Sequence, residues 1–253
     1  MKLKAEYLPY IEGEKFDSGK MYVIKGENRF GGKDKIDFLK KYFDGKKVVH
    51  LGCTDHIDCI DRKIKGDIWL HKVLTETCDE CWGIDINNEA IDYIKEKYKG
   101  EKYAENIMLG DITTDFLKDN NIIAEYLFMG EILEHVDDPV GFLKSVVAHN
   151  KGQIQKIVIT VPNMFSIDVK LASLLDIEWI NTDHRYWFSP ITLWKVATRA
   201  GLEVNRIELL SAAISSGISS ANILKLFRRI WFEWKALNRK HIFLEASIKQ
   251  GTI

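Results

Sequence analysis

Four side chains in this sequence could together move a proton or hold a cation. Glu131, Glu134 and His135 stand in the stretch E-I-L-E-H, and His184 follows later in D-H-R-Y-W. Separations of three and four place the first three on one face if that turn is helical. His135 could then serve as a general base toward a hydroxyl, because an imidazole titrates near neutral pH. Alternatively, Glu131, Glu134, His135 and His184 could hold a divalent cation such as magnesium or manganese, which lowers the pKa of a hydroxyl. The spacing leaves both roles open. Asp183 could orient His184, and Arg185, Tyr186 and Trp187 could line an acceptor pocket.

These residues need a frame, and the surrounding pattern supplies one. Lys46 to Asp55, KKVVHLGCTD, is a short β-branched run that stops at Gly52. Such a run with polar flanks predicts a buried parallel strand. CWGIDI, ending in Asp85 and Ile86, NIMLGDI, AEYLFMG and KIVITVPN read the same way, with helical stretches between them. LEVNRIELL and HIFLEASI complete seven strands. The alternation predicts a Rossmann-like α/β fold, a mostly parallel sheet with helices on both faces. In such a sheet ligands bind beyond the strand carboxyl ends. Gly52 permits close backbone approach, and Asp85 can accept hydrogen bonds from both hydroxyls of a ribose. The polar segment CTDHIDCIDRKIKGD reads as a long binding loop, with a helix from about Asp67.

Residues 1–32 read as a polar lead-in that caps the domain, with MYVIKG as a short strand, and 33–253 as a single domain. Between about 163 and 189 an aromatic, polar insertion interrupts the alternation after the fifth strand, where a lid or acceptor pocket is expected. The tail carries Arg228, Arg229, Lys235, Arg239 and Lys240, either an anion-attracting patch or a solvated amphipathic face. A chain of 253 residues with formal net charge −1 gives no argument for nucleic acid. No run of about 18 uncharged apolar residues is present, so no membrane span is expected. The first residues lack the apolar core of a signal peptide, so a cytoplasmic protein is expected. Cys53, Cys59, Cys78 and Cys81 read as reduced thiols, since Cys78 and Cys81 lack a second correctly spaced pair for a zinc site.

In order, VVHLGC, GIDINNEAI, MLGDIT, FMGEILEHVDDPVGFL, IVITVPN and DHRYWFSPITLWKVATRAGLEV resemble the class I S-adenosylmethionine-dependent methyltransferases from about Lys33 to Ile248. The resemblance implies S-adenosyl-L-methionine as cofactor. Gly52 would back its methionine end, Asp85 would hold the ribose, and Asp111 would meet the adenine amine, with Ile86 and Ile112 flanking the ring. Gly130 or Glu131 would lie near the cofactor's amino group. His50 replaces the acid usual in the family and is a candidate cofactor-binding residue in its place, and Cys53, Thr54 and Asp55 replace the later glycines, so Thr54 and Asp55 become candidates for the methionine contacts. The E-x-x-E-H pattern with a later histidine resembles the metal site of ubiquinone-biosynthesis and small-RNA O-methyltransferases. The whole resembles bacterial enzymes that methylate small molecules, saccharides or cell-surface glycan precursors. A catalytically silent fold that binds cofactor or a protein partner is the alternative reading, motivated by the depleted glycine turn.

Overall fold

The computed structural model describes residues 4–24, 33–212, 223–224, 226–227 and 231–248. In chain order its elements are α1 (Leu8–Glu12), β1 (Lys33–Asp34), α2 (Lys35–Phe43), β2 (Lys47–Leu51), α3 (Ile57–Lys65), α4 (Leu70–Thr77), β3 (Glu80–Asp85), α5 (Asn88–Lys97) and α6 (Lys102–Glu105). There follow β4 (Ile107–Leu109), α7 (Phe116–Asp119), β5 (Ala124–Gly130), α8 (Pro139–Asn150), β6 (Ile154–Pro162), α9 (Ile167–Ser173), α10 (Pro190–Arg199), β7 (Leu202–Ser211) and β8 (His241–Ile248).

The strands form one sheet in the order β1-β7-β8-β6-β5-β2-β3-β4. β8 runs antiparallel to both β6 and β7, and every other pairing is parallel. Seven strands were expected and eight are present. The extra one, β1, is two residues pairing with Leu210 and Ser211, too short to leave an apolar pattern. The strand expected over MYVIKG is not formed at Met21–Ile24, and its last two residues lie outside the described ones.

Successive side chains of a strand point to opposite faces, and the core divides accordingly. Val49, Leu127, Met129, Ile157 and Ile159 face one side, where α8 and α10 contribute Leu143, Val146, Leu193 and Ala197. Val48, Phe128, Val158 and Phe243 face the other, against Leu39 and Phe43 of α2 and Leu74 of α4. Tyr7 and Ile11 of the lead-in join the α10 side of the core.

The helices begin where the sequence can satisfy their free amide groups. Asp34 caps α2 through the N–H groups of Ile36 and Asp37, Asn87 caps α5 through Ala90, and Asp138 caps α8 through Gly141. Ser189 and Thr192 form a reciprocal capping box ahead of α10. The segment expected as a polar binding loop after β2 is largely helix α3, with Ile60 buried against Ile91 and Ile94 of α5.

The chain leaves β2 toward β3 and β4 on one side, then returns to β5 and β6 on the other. The carboxyl ends of β2 and β5 therefore flank the reversal point, the crevice where this class of sheet takes its ligand. Phe128 in the centre of β5 is fully buried between Phe43 and His50. Phe128→Ala should lower the unfolding free energy by about 3–5 kcal/mol, read from urea denaturation.

Candidate active site

Three strand ends build the crevice. Gly52 ends β2 at φ +63 and donates its N–H to Ile84 O at 2.8 Å. A Cβ at this position would come within 2.7 Å of Ile132 Cδ1, and the left-handed backbone itself favours glycine there. At the end of β3, Asp85 is buried. Its Oδ2 accepts from Thr54 N at 3.0 Å and Thr54 Oγ1 at 2.8 Å, and its Oδ1 accepts from Asn87 N at 3.0 Å. A carboxylate offers about four acceptor sites, so Oδ1 keeps room for one ribose hydroxyl. A second needs the Thr54 hydroxyl to turn away. Asp111, after β4, is exposed, and its Oδ1 accepts from Thr113 N and Oγ1 at 2.8 and 2.7 Å. Ile86 lies 76% exposed beyond β3, available to a flat ring.

Several expected contacts are redirected. Ile112, expected beside the adenine, is buried in the core with Leu117 and Leu143. The His50 side chain faces the protein interior. It stacks on Phe128 and lies with its Nδ1 3.3 Å from His71 Nδ1. Burial first, then the His71 ring and the Lys35 charge, holds its pKa well below the ordinary value. Thr54 donates to Asp85, and Asp55 pairs with Lys63.

Glu131 also departs from expectation. It takes φ +59, a left-handed conformation that side-chain-bearing residues seldom adopt. Only Leu133–His135 form a helical turn, a short 3-10 one, so the three residues do not share a helix face. Its Oε1 lies 2.9 Å from Lys35 Nζ and its Oε2 3.2 Å from His241 Nδ1. Burial opposes the Glu131 charge, but Lys35 and then His241 outweigh it and hold the carboxyl well below its usual range. Lys35 and His241 had no signal in the sequence, since they come from the start of α2 and the start of β8 and meet only in the fold.

The remaining three residues do converge. Ligand atoms of Glu134, His135 and His184 lie within 4.8 Å of one another. Glu134 has no exposed surface, and among the described residues neither of its carboxylate oxygens has a hydrogen-bond partner. Burial first, then the Glu131 charge, pushes its carboxyl up to about 9. His184 Nε2 lies 3.9 Å from Glu134 Oε1, and His184 Nδ1 is buried without a partner. Burial, then the neighbouring His135, lowers the His184 pKa. His135 Nδ1 lies 3.2 Å from Asp183 O, which leaves Nε2 for other use. The backbone fixes this arrangement, because Arg185 N and Tyr186 N donate to Glu134 O at 2.8 and 3.3 Å. Arg185 Nη1 donates to His135 O, and Tyr186 OH to Asp137 O. Asp183 also lies beside His56, and that contact anchors the insertion to the start of α3. A cavity of about 320 Å³ opens alongside, lined by Met164, Asp176, Ile177, Glu178, Trp179 and Trp187 among others. The Trp187 ring stands 6.3 Å from that of His184.

With this geometry in hand, comparison with known proteins is direct. Residues 66–151 match the family model described as a methyltransferase domain. No curated protein matches the chain. Magnesium protoporphyrin IX methyltransferase from Synechocystis, solved with bound S-adenosylhomocysteine, is 12% identical with a TM-score of 0.51, over 85% of this chain and 82% of that one. The small RNA methyltransferase HEN1 is 14% identical with a TM-score of 0.52, over 94% of this chain but 27% of that one, so this chain spans about a quarter of its length. The chain has the class I S-adenosylmethionine-dependent methyltransferase fold, and its residues 66–151 carry the methyltransferase-domain sequence. The group this fold holds is S-adenosyl-L-methionine, and a buried Asp85 with a spare acceptor site fits its ribose.

Glu134 sets a pH dependence opposite in sign to that of an ordinary carboxylate. Between the usual glutamate value of about 4.3 and about 9, the folded state keeps a proton that the unfolded chain releases. Stability contributed by this group is complete below the lower value and is lost as pH rises toward the upper one. With a chelator present, thermal unfolding should therefore move to lower temperature from pH 5 to pH 8, and Glu134→Gln should flatten that slope.

Proposed function

We propose that the chain is an S-adenosylmethionine-dependent O-methyltransferase acting on a hydroxyl of a small molecule or saccharide, including cell-surface glycan precursors, in the cytoplasm. The observation that carries this reading is the buried Glu134 carboxylate, without a hydrogen bond, facing His135 and His184. When bound, the sulfonium donor supplies a methyl group open to direct displacement. Asp85 grips the ribose, Asp111 and Ile86 take the adenine end, and Glu131, fixed by Lys35, stands toward the amino group. Gly52 and Ile132 form the floor beneath. Alignment and exclusion of water then supply most of the acceleration.

The acceptor hydroxyl must also lose its proton. His135 Nε2 is the base best placed to take it, with Nδ1 held at Asp183 O. Glu134, His135 and His184 would also hold a divalent cation, which lowers a hydroxyl pKa when present. A buried carboxylate without a partner is unfavourable by several kcal/mol unless neutralised by a proton or a cation, and the site suits either. The cavity beside Trp187 presents apolar and acidic side chains and no basic one. That lining favours an uncharged acceptor over the phosphates of RNA.

A second reading, a silent fold, is favoured by the closure around Gly52 and Asp85. Ile132 occupies the space over Gly52, and Thr54 fills both acceptor sites of Asp85 Oδ2. Calorimetry with S-adenosylhomocysteine separates the two readings. Binding is expected, with Asp85→Ala weakening it at least about tenfold, as loss of charge-assisted hydrogen bonds implies. Absence of heat in the wild type would give the silent fold. For the cation, paramagnetic resonance of added manganese should report a bound ion that Glu134→Gln and His184→Ala release. His135→Ala should abolish turnover while leaving cofactor affinity nearly unchanged.

A further inference from the structure

Lys35 is the first residue of α2, and its ammonium lies among the tips of three strands. Its Nζ is 2.9 Å from Glu131 Oε1, directly after β5, while Glu131 Oε2 lies 3.2 Å from His241 Nδ1 at the start of β8. Its charge also reaches His50, the penultimate residue of β2. Because β8 runs antiparallel to β6, with His241 opposite Pro162, its first residue stands at the carboxyl end of the parallel strands. This is the end where the crevice opens.

The Lys35–Glu131 pair is incomplete on both sides. A lysine ammonium has three donor positions, yet the Lys35 side chain is only 10% exposed and among the described residues Glu131 is its one hydrogen-bonding partner. The Glu131 side chain keeps 29% of its surface, and a carboxylate can accept more than the two bonds it has here. Such a pair gives little net stability by itself, because desolvation of both charges offsets their attraction. Glu131 also holds its left-handed backbone, a conformation concentrated at functional sites. Both observations point to a ligand that completes the pair.

The sheet order puts β2 between β3 and β5, so two strand spacings, about 10 Å, separate the tip carrying Asp85 from the tip carrying Glu131. With the ribose of the sulfonium donor at Asp85, its amino-acid end comes to Glu131 and Lys35. That end is a zwitterion, one carboxylate beside one ammonium, and a neighbouring lysine and glutamate are its charge complement. We propose that Lys35 binds the α-carboxylate of the donor while Glu131 accepts from its α-ammonium, so that the pair selects nucleosides carrying an intact amino acid. The inference rests on the S-adenosylmethionine reading above and adds the residue that holds the carboxylate. His241 is a positioning residue, since a bond from its Nδ1 to Oε2 fixes the plane of the Glu131 carboxylate.

Calorimetry with S-adenosylhomocysteine and with its decarboxylated form, which keeps the ammonium and lacks the carboxylate, tests the assignment. The wild-type chain should bind the decarboxylated form at least about tenfold more weakly, as loss of a charge-assisted hydrogen bond implies. Lys35→Met should weaken S-adenosylhomocysteine by a similar factor and leave the decarboxylated form within about twofold. Lys35→Arg, which keeps the charge, should retain part of the preference. Should Lys35→Met fail to fold, Lys35→Met with Glu131→Gln removes both charges together and should bind the two nucleosides equally. A folded Lys35→Met chain that still prefers the carboxylate, or that loses both nucleosides in equal measure, overturns the proposal and leaves the cofactor reading intact. A wild-type chain that binds neither nucleoside overturns both.

Discussion

A carboxylate removed from water and given no hydrogen bond by the described residues sits at the centre of the candidate site. Glu134 can be accommodated only as a neutral acid or against a cation, because a lone buried charge is far too costly. Its main chain ties the same point to the insertion, since its carbonyl accepts from Arg185 and Tyr186. Thus the side chain creates an electrostatic demand and the backbone delivers His184 to answer it. The site exists as a unit only while residues 183–186 lie docked against the turn after β5.

The cofactor crevice is more tightly filled than a glycine-rich turn would leave it. Ile132 lies over Gly52, and Thr54 covers part of Asp85. Both groups belong to loops at strand ends, where rotation of one side chain changes the available space without moving the sheet. Glu131 compensates on the other side. Its strained backbone turns the carboxylate into a half-buried contact with both Lys35 and His241, an arrangement that accounts for a left-handed glutamate at this position.

Much of this frame was legible in the sequence because buried parallel strands are short unbroken apolar runs, and Gly52 and Asp85 mark where two of them stop. Helix α3 escaped notice since Ile57, Ile60 and Ile64 are embedded among charged residues that a short periodic reading takes for a loop. His50 was read as facing a ligand because it replaces a family acid, yet strand alternation sends it to the face lined by Phe128. Ile112 is buried in the core, which its position in the motif could not show, since that says nothing of which way the chain turns after β4. The spacing of Glu131, Glu134 and His135 suggested a single ligand set. A left-handed residue broke that set, and only non-glycine φ values from the structure could reveal it. Lys35 and His241 lie far apart in the chain and could not have been paired by pattern.

The placement of β8 has a consequence for how the molecule is made. This last strand lies between β7 and β6, antiparallel to both. During synthesis the sheet therefore stays split until His241–Ile248 has left the ribosome, with two unpaired edges open to wrong partners. His241 arrives with that strand, and only then does Glu131 gain its second contact. Assembly of the sheet and completion of the crevice become a single late event, so a nascent chain cannot present a finished site on an unfinished fold.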